Sequence, residues 1–427
     1  MAAMLPRAAT VGNPPPHSTR ETMLKRSETR VAEGREFVLL VTSIMAMGAL
    51  AIDLMLPAFP AIRVEYGMAP GSPEVGWMIT TFFLGLAIGP WFFGPPSDRY
   101  GRKPMLYIGL GLYAVGALGA VLAPTYGLLM ASRFVWGLGA GAPRSLALAI
   151  IRDRYEGEQM ARLMSMIMAT FILVPIVAPS LGSLMMQVAP WRIVFWIPLL
   201  LSGALALWAR RLPETLTAGR RRPFTRAGVT AAMKAVVENT TTVCFAIAIA
   251  FLFGVMTGYL SSSELIVEGV YGYGKWFPLF FGFVAILLGL GSLTSARFVS
   301  RVGLMPWIGW VSRASIATAA GFAALVLLTD GRPNFWVMTV ALALLMPTVQ
   351  GLVPNCNTAA MAPVPHVAGT AAAIIGTVTT AGGSLLGGFL TKAFDDTVRP
   401  FALGVLLYVG IAFVFITIGR RAYGRSS

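Results

Sequence analysis

The sequence predicts an all-α membrane protein: twelve transmembrane helices in two pseudo-symmetric six-helix bundles. Three observations predict it, namely scarce charge, apolar stretches of bilayer length, and basic residues that alternate between the connections. Of the 427 residues, 56% are hydrophobic and only 12% are charged, with a mean hydropathy of +0.73. A soluble domain carries about 25% charged residues, so this chain has too little polar surface to cover a body in water.

Roughly 20 apolar residues cross a bilayer as a helix, and a helix satisfies its own backbone hydrogen bonds in lipid. On that rule the first six spans fall near 37–58, 74–96, 104–123, 127–150, 160–182 and 191–209. The second six fall near 240–263, 275–297, 306–328, 334–358, 367–391 and 399–419. Residues 1–36 are polar and proline-bearing and are expected to form a disordered cytoplasmic tail rather than a cleavable leader. The remaining organisation is a first bundle over 37–211, a cytoplasmic connection over 212–239, a second bundle over 240–421 and a short tail over 422–427.

Charge placement sets the orientation. With the N-terminus in the cytoplasm, 24 of the 33 Lys and Arg fall on the cytoplasmic side. Outside lie Arg63, Arg192, Lys275, Arg332, Lys392 and Arg399, and within spans lie Arg133, Arg144 and Arg313. The net charge of +15 therefore reports a multi-pass protein with both termini in the cytoplasm and contact with anionic lipid, not a nucleic-acid partner. The cysteines, Cys244 and Cys356, stand in apolar runs, and the histidines are His17 and His366, so neither a disulfide scaffold nor a metal cage is expected. No Walker-type glycine loop and no nucleophile–base constellation is present, which argues against ATP as energy source and against an enzyme. The expected cofactor set is empty, with the proton as coupling ion.

The two halves echo one another. Arg99-x-Gly101-x-x-Pro104, after the second span, recurs as Arg301-x-Gly303-x-x-Pro306 after the eighth. Duplicated halves place a substrate site at the midplane between bundles that rock.

The run from Gly94 to Pro104, with Asp98, Arg99, Gly101 and Arg102, resembles the signature loop between helices 2 and 3 of the major facilitator superfamily. The resemblance implies that Asp98, Arg99, Gly101 and Arg102 form a cytoplasmic latch between the halves. The first span ends Asp53-Leu54-Met55-Leu56-Pro57-Ala58-Phe59-Pro60, similar to the helix-1 ending of twelve-helix drug/proton antiporters. Asp53 reads as the one acid well inside a span. A carboxylate there must protonate, find a partner or face a wet cavity, and desolvation favours its neutral form. Arg133, in Arg133-x-x-Trp136-Gly137-x-Gly139, resembles the family's buried helix-4 arginine tied to proton transfer, and Asp53 is its expected acceptor. A structural Arg133 bonded to backbone carbonyls is the alternative. Pro175, Pro179 and Gly182 form a reduced version of the antiporter motif of helix 5.

Gly351–Asn357, Ala368–Ala371, Arg152–Tyr155 and Gly157–Arg162 look like segments of the bicyclomycin/chloramphenicol-resistance (Bcr/CflA) subgroup. The resemblance covers about residues 37–420 and implies proton-coupled efflux of small amphipathic drugs, neutral or singly charged and phenicol-like, across the inner membrane. The substrate candidates are Trp77, Phe82, Tyr107, Tyr259, Gln350 and Asn355, with Glu264 and Glu268 as a solvated rim. The expected partners are a small amphipathic molecule, protons and membrane lipid, with the protein a monomer. The rival readings are a proton-coupled metabolite permease, a copper permease suggested by Met160, Met164 and Met168, and a non-transporting sensor or scaffold.

Overall fold

The computed structural model describes residues 35–216 and 226–426, and every regular element among them is helical. The spans of the first half are α1 (Arg35–Asp53), α2 (Trp77–Tyr100), α3 (Arg102–Leu122), α4 (Tyr126–Arg154), α5 (Gly157–Met185) and α6 (Ile193–Trp208). Those of the second are α7 (Thr240–Glu264), α8 (Phe277–Val302), α9 (Leu304–Leu328), α10 (Phe335–Met361), α11 (Ala368–Lys392) and α12 (Arg399–Ser426). Among the described residues eleven stretches are long and apolar enough to cross a membrane, and α5, 29 residues long at the place of the fifth expected span, has the shorter apolar stretch Leu173–Met185. Large apolar side chains such as Val115, Leu122, Leu200, Leu328, Trp336 and Leu344 stay exposed. In water they would drive association, whereas around a helical bundle they meet acyl chains.

In the first half α4 packs on α2 and α3, and α1 on α5. In the second half α7 packs on α10, α11 and α12. The two largest pairings across the seam are α2 with α11 and α5 with α8. The duplicated motif is also a structural repeat. Gly101 and Gly303 each end one helix and begin the next, with φ of +110° and +87° and ψ of 156° and 159°. Only glycine adopts this backbone without strain, and each donates its N–H to a carbonyl four residues back, Ser97 or Val299.

Three expectations change. The first span does not run unbroken to residue 58. Pro57 lacks the N–H that would bond the Asp53 carbonyl, so α1 stops at Asp53 and the chain continues through a tight turn, Leu56–Ala58, and a short helix, Phe59–Glu65. The apolar stretch then covers Glu36–Glu65, and Asp53 sits at its internal break. Secondly, the 212–239 connection holds a helix, Arg226–Glu238, whose Ala232 and Val236 pack against Val364, Ala371 and Ile374 beside Trp91. Arg220, Arg221, Arg222 and residues 1–34 lie outside the described residues. Thirdly, α12 continues to Ser426 in place of most of the expected tail.

One end of the molecule, here the basic end, gathers Arg99, Arg102, Lys103, Arg152, Arg154, Arg210, Arg211, Arg297, Arg301, Arg420 and Arg421. Glu36 at the start of α1 bonds Trp208 and Arg211, and Arg420 near the finish of α12 lies at Gly309 just past the Gly303 corner, so both stand at that same end.

Candidate transport site

Asp53 closes α1 at the seam between the halves. It is 4% exposed and has no hydrogen-bond or ion-pair partner among the described residues. The turn after it, Leu56–Ala58, touches α7. Across the seam, the Asp53 carboxylate lies within electrostatic reach of the Tyr259 hydroxyl of α7, which is buried with no partner. The Tyr259 ring is stacked on Phe281 of α8 at 5.6 Å and 13°. Behind the break stands Gly182, where a Cβ would lie 2.2 Å from the Leu54 carbonyl. The glycine of the helix-5 motif thus lets α5 back directly onto the bend that carries Asp53. Pro175 and Pro179 lie inside α5, which stays helical through both, and the Ile176 carbonyl between them approaches Gly282 of α8.

Arg133 is wholly buried and takes the backbone option. It donates from Nη1 to the Ala51 carbonyl (3.0 Å) and from Nε to the Met78 carbonyl (3.3 Å), under the rings of Phe82 and Trp136 at 4.6 and 4.9 Å. The expected Arg133–Asp53 ion pair is absent from this structure, because two carbonyls and two ring faces hold the guanidinium one turn short of it. Its Nη2 has no partner. Arg133 therefore ties α1 to α2 and α4 just before the bend, with one donor left over.

The substrate candidates separate. Tyr259 faces the seam. Trp77 meets Phe389 of α11 edge-on at 5.9 Å, near the Thr80 hydroxyl's bond to the Ser384 carbonyl (3.2 Å), so it joins the halves far from the basic end. Phe82 is fully buried in the first-half core under Arg133 and lines no opening. Tyr107 lies on α3 within electrostatic reach of Arg210, on a helix whose main neighbours, α2, α4 and α6, belong to the first half. Asn355 donates to Ser295 Oγ (2.7 Å) and the Gly351 carbonyl (2.6 Å), fastening α10 to α8, while Gln350 is half-buried one turn earlier. Of the methionines behind the copper reading, Met160 and Met164 pack against the core, and the Met168 side chain lies outside the described residues.

The sequence places Arg144 within a span and gives it no role there. Arg144 falls within 20° of Arg133 and Gly137 around α4, on its inward face, by the 100° step of a helix. Burial desolvates its guanidinium, yet the side chain keeps accessible surface and no acid meets it among the described residues.

The expected solvated Glu264 is instead 3% exposed. Arg63, 4% exposed, donates to it twice, Nη1 to Oε1 at 2.9 Å and Nη2 to Oε2 at 2.7 Å, and donates Nε to the Ser72 carbonyl at 2.8 Å. The two residues are 201 positions apart, and nothing in the sequence links them. Glu268 remains exposed, as expected of a rim.

The signature loop is bonded within the first half. Asp98 pairs with Arg102 (2.6 Å), which also reaches Asp153 (3.1 Å) and Ser97 Oγ (2.7 Å). Arg99 lies over the Tyr100 ring at 5.2 Å. Glu214 accepts the backbone N–H groups of Arg102 (2.9 Å) and Lys103 (3.0 Å). Burial opposes ionisation of Glu214, but backbone donors at Leu216, Arg102, Lys103 and Thr215 outweigh it and hold the carboxyl below its ordinary range. Among the described residues these loop bonds do not reach the second half. The seam near this end is held instead by Trp91 Nε1 donating to Thr377 Oγ1 (2.8 Å), which donates to the Ala87 carbonyl (2.8 Å).

Residues 39–388 match the Major Facilitator Superfamily. The chain belongs to that family of transporters. It is 27% identical over 391 residues to a "Bicyclomycin resistance protein homolog" of Haemophilus influenzae, covering 89% of this chain and 96% of the relative. It is 24% identical over 353 residues to "Multidrug resistance protein D" of Escherichia coli, covering 82% and 86%. Among solved structures, a D-xylose–proton symporter superposes with a TM-score of 0.71 at 13% identity, over 89% of this chain and 96% of that one. The human organic anion transporter MFSD10 superposes with a TM-score of 0.65 at 18% identity, over 90% and 99%. At these identities the structural likeness establishes the fold.

Proposed function

We propose that this protein exports small amphipathic drugs, neutral or singly charged, in exchange for protons, from an inner membrane in which the basic end faces the cytoplasm. The observation that carries the reading is Asp53: a buried, unpartnered carboxyl at a helix break on the seam, opposite the unpartnered Tyr259 hydroxyl. Such a group gains or loses its proton according to whether the seam is wet or closed. The resistance names of the two relatives support a drug as cargo.

Protonation from the far side neutralises Asp53 and lets the seam close over it. Opening toward the basic end rewets the carboxyl, releases the proton and leaves a site in which substrate and proton compete. One proton crossing about 150 mV supplies roughly 3.5 kcal/mol. That sustains a concentration ratio of several hundred for a neutral substrate at about 1.4 kcal/mol per tenfold. The test is a susceptibility panel in a host stripped of its own efflux pumps, with and without a protonophore. Resistance that vanishes with the protonophore is expected, and unchanged resistance refutes the coupling.

A further inference from the structure

From Thr240 onward the carboxylate side chains are Glu264, Glu268, Asp330, Asp395 and Asp396. All five stand in connections or helix ends away from the basic end. The basic end of this half holds Arg297, Arg301, Arg420, Arg421 and Arg425, and Arg313 lies about two and a half turns into α9 from that end, with no side-chain carboxylate among them. Two of these arginines are brought together rather than spread apart. Arg420 of α12 lies flat on α9 at Gly309, where a Cβ would come within 2.3 Å of Nη1 and 2.6 Å of Nη2, so only glycine leaves room for the guanidinium. Arg313 stands one turn beyond Gly309 on the same face of α9, close enough for the two positive charges to repel. The Arg420 Nε is buried without a hydrogen-bond partner, and Arg313 is exposed. Beside them on α9 Trp310 is 54% exposed.

Two cations held together with a free donor, no acid and an exposed tryptophan beside them form half of an anion site. We infer that the cleft between α9 and α12, formed by Arg313, Arg420 and Gly309, binds the phosphate of an anionic phospholipid from the leaflet at the basic end. Both guanidiniums present forked N–H donors suited to phosphate oxygens, and the acyl chains run along the exposed apolar face of α9. The site is independent of Asp53 and of the cargo.

The experiment is native mass spectrometry of the intact protein released from micelles carrying phosphatidylglycerol or phosphatidylcholine with the same acyl chains. Wild type is expected to retain phosphatidylglycerol preferentially. Arg313→Gln, an exposed change that threatens no core contact, is expected to weaken that retention roughly fivefold, and Arg313→Gln with Arg420→Gln roughly thirtyfold. Arg421→Gln, a neighbouring exposed cation outside the cleft, is expected to have the smaller effect. If the double variant fails to insert, Arg313→Gln against Arg421→Gln decides alone. Equal retention of the two lipids by wild type, or equal losses in those two single variants, overturns the site. Displacement of the lipid by millimolar inorganic phosphate reassigns it to a free anion and overturns the lipid.

Discussion

Arg63 of the first half grips Glu264 of the second in a two-point ion pair, buried at the end of the molecule opposite the basic loops. It lies beside the contact of Trp77 with Phe389, so charge and aromatic packing close the same end of the seam. With the signature loop bonded inside the first half, this pair is, among the described residues, the charged clasp between the halves.

Breaking the clasp leaves a buried charge alone. Arg63→Gln or Glu264→Gln is expected to cost about 3–5 kcal/mol of the closed state and to widen the distance between spin labels across this end. The double variant Arg63→Gln with Glu264→Gln should cost less than either single change. Unchanged label distances in both single variants would show that aromatic packing alone closes the seam.

Asp53→Asn keeps the shape of the side chain but cannot carry a proton. Insertion and thermal stability are expected to hold, while export driven by an imposed pH step in proteoliposomes is abolished. Tyr259→Phe, which removes the facing hydroxyl and leaves the stack on Phe281, is expected to slow exchange without abolishing it. Uphill export by the Asn variant would assign the coupling to another group.

Much of this was legible in the sequence, for reasons particular residues make plain. Apolar length fixed the helices, and the Arg99–Pro104 and Arg301–Pro306 echo foretold two glycine corners of the same backbone form. Pro57 and Pro60 were visible, but a hydropathy count does not see that Pro57 deprives the Asp53 carbonyl of its donor. Partners far apart in the chain were not legible. Arg63 and Glu264 each look like ordinary end-of-span charges until the fold superimposes them. Arg133 was expected to seek the Asp53 charge, whereas two carbonyls and two rings satisfy most of it first. Phe82 and Tyr107 carried the residue types of a drug site on helix faces turned into the first-half core or toward Arg210.

Glu214 gives the signature loop a pH dependence. Its folded carboxyl is held below the ordinary value of 4.5. The stabilisation it provides is complete above that value and is lost as pH falls through the depressed folded value. Hydrogen exchange of the Arg102 and Lys103 amides is therefore expected to be slow at pH 7 and to quicken in strong acid. Glu214→Gln is expected to quicken it at pH 7. Asp98→Asn, at an exposed acid away from the seam, is expected to slow transport while leaving substrate affinity intact. Amides equally protected in wild type and Glu214→Gln at pH 7 would remove Glu214 from the loop's support.

Fixed charge on the α4 face that carries Arg133 and Arg144 is expected to set which cargo the transporter tolerates. Arg144 keeps accessible surface on the same face of α4 as Arg133, about three turns further along, Arg133 has a spare donor, and Asp53 is the buried acid two residues after the carbonyl that Arg133 binds. A dication would face an unpaired positive charge at the midplane, which costs several kcal/mol where solvent is scarce. Neutral and singly charged amphipathic compounds avoid that penalty. Cells producing this transporter are thus expected to resist neutral antibiotics and to gain little protection from divalent cationic antiseptics. Arg144→Gln should narrow the gap by about tenfold or less in the dication's relative export rate, the scale of roughly one exposed charge at about 1 kcal/mol. Strong export of a dication by wild type, together with failure on every neutral compound, would sink this selectivity and direct attention to Glu268 at the rim.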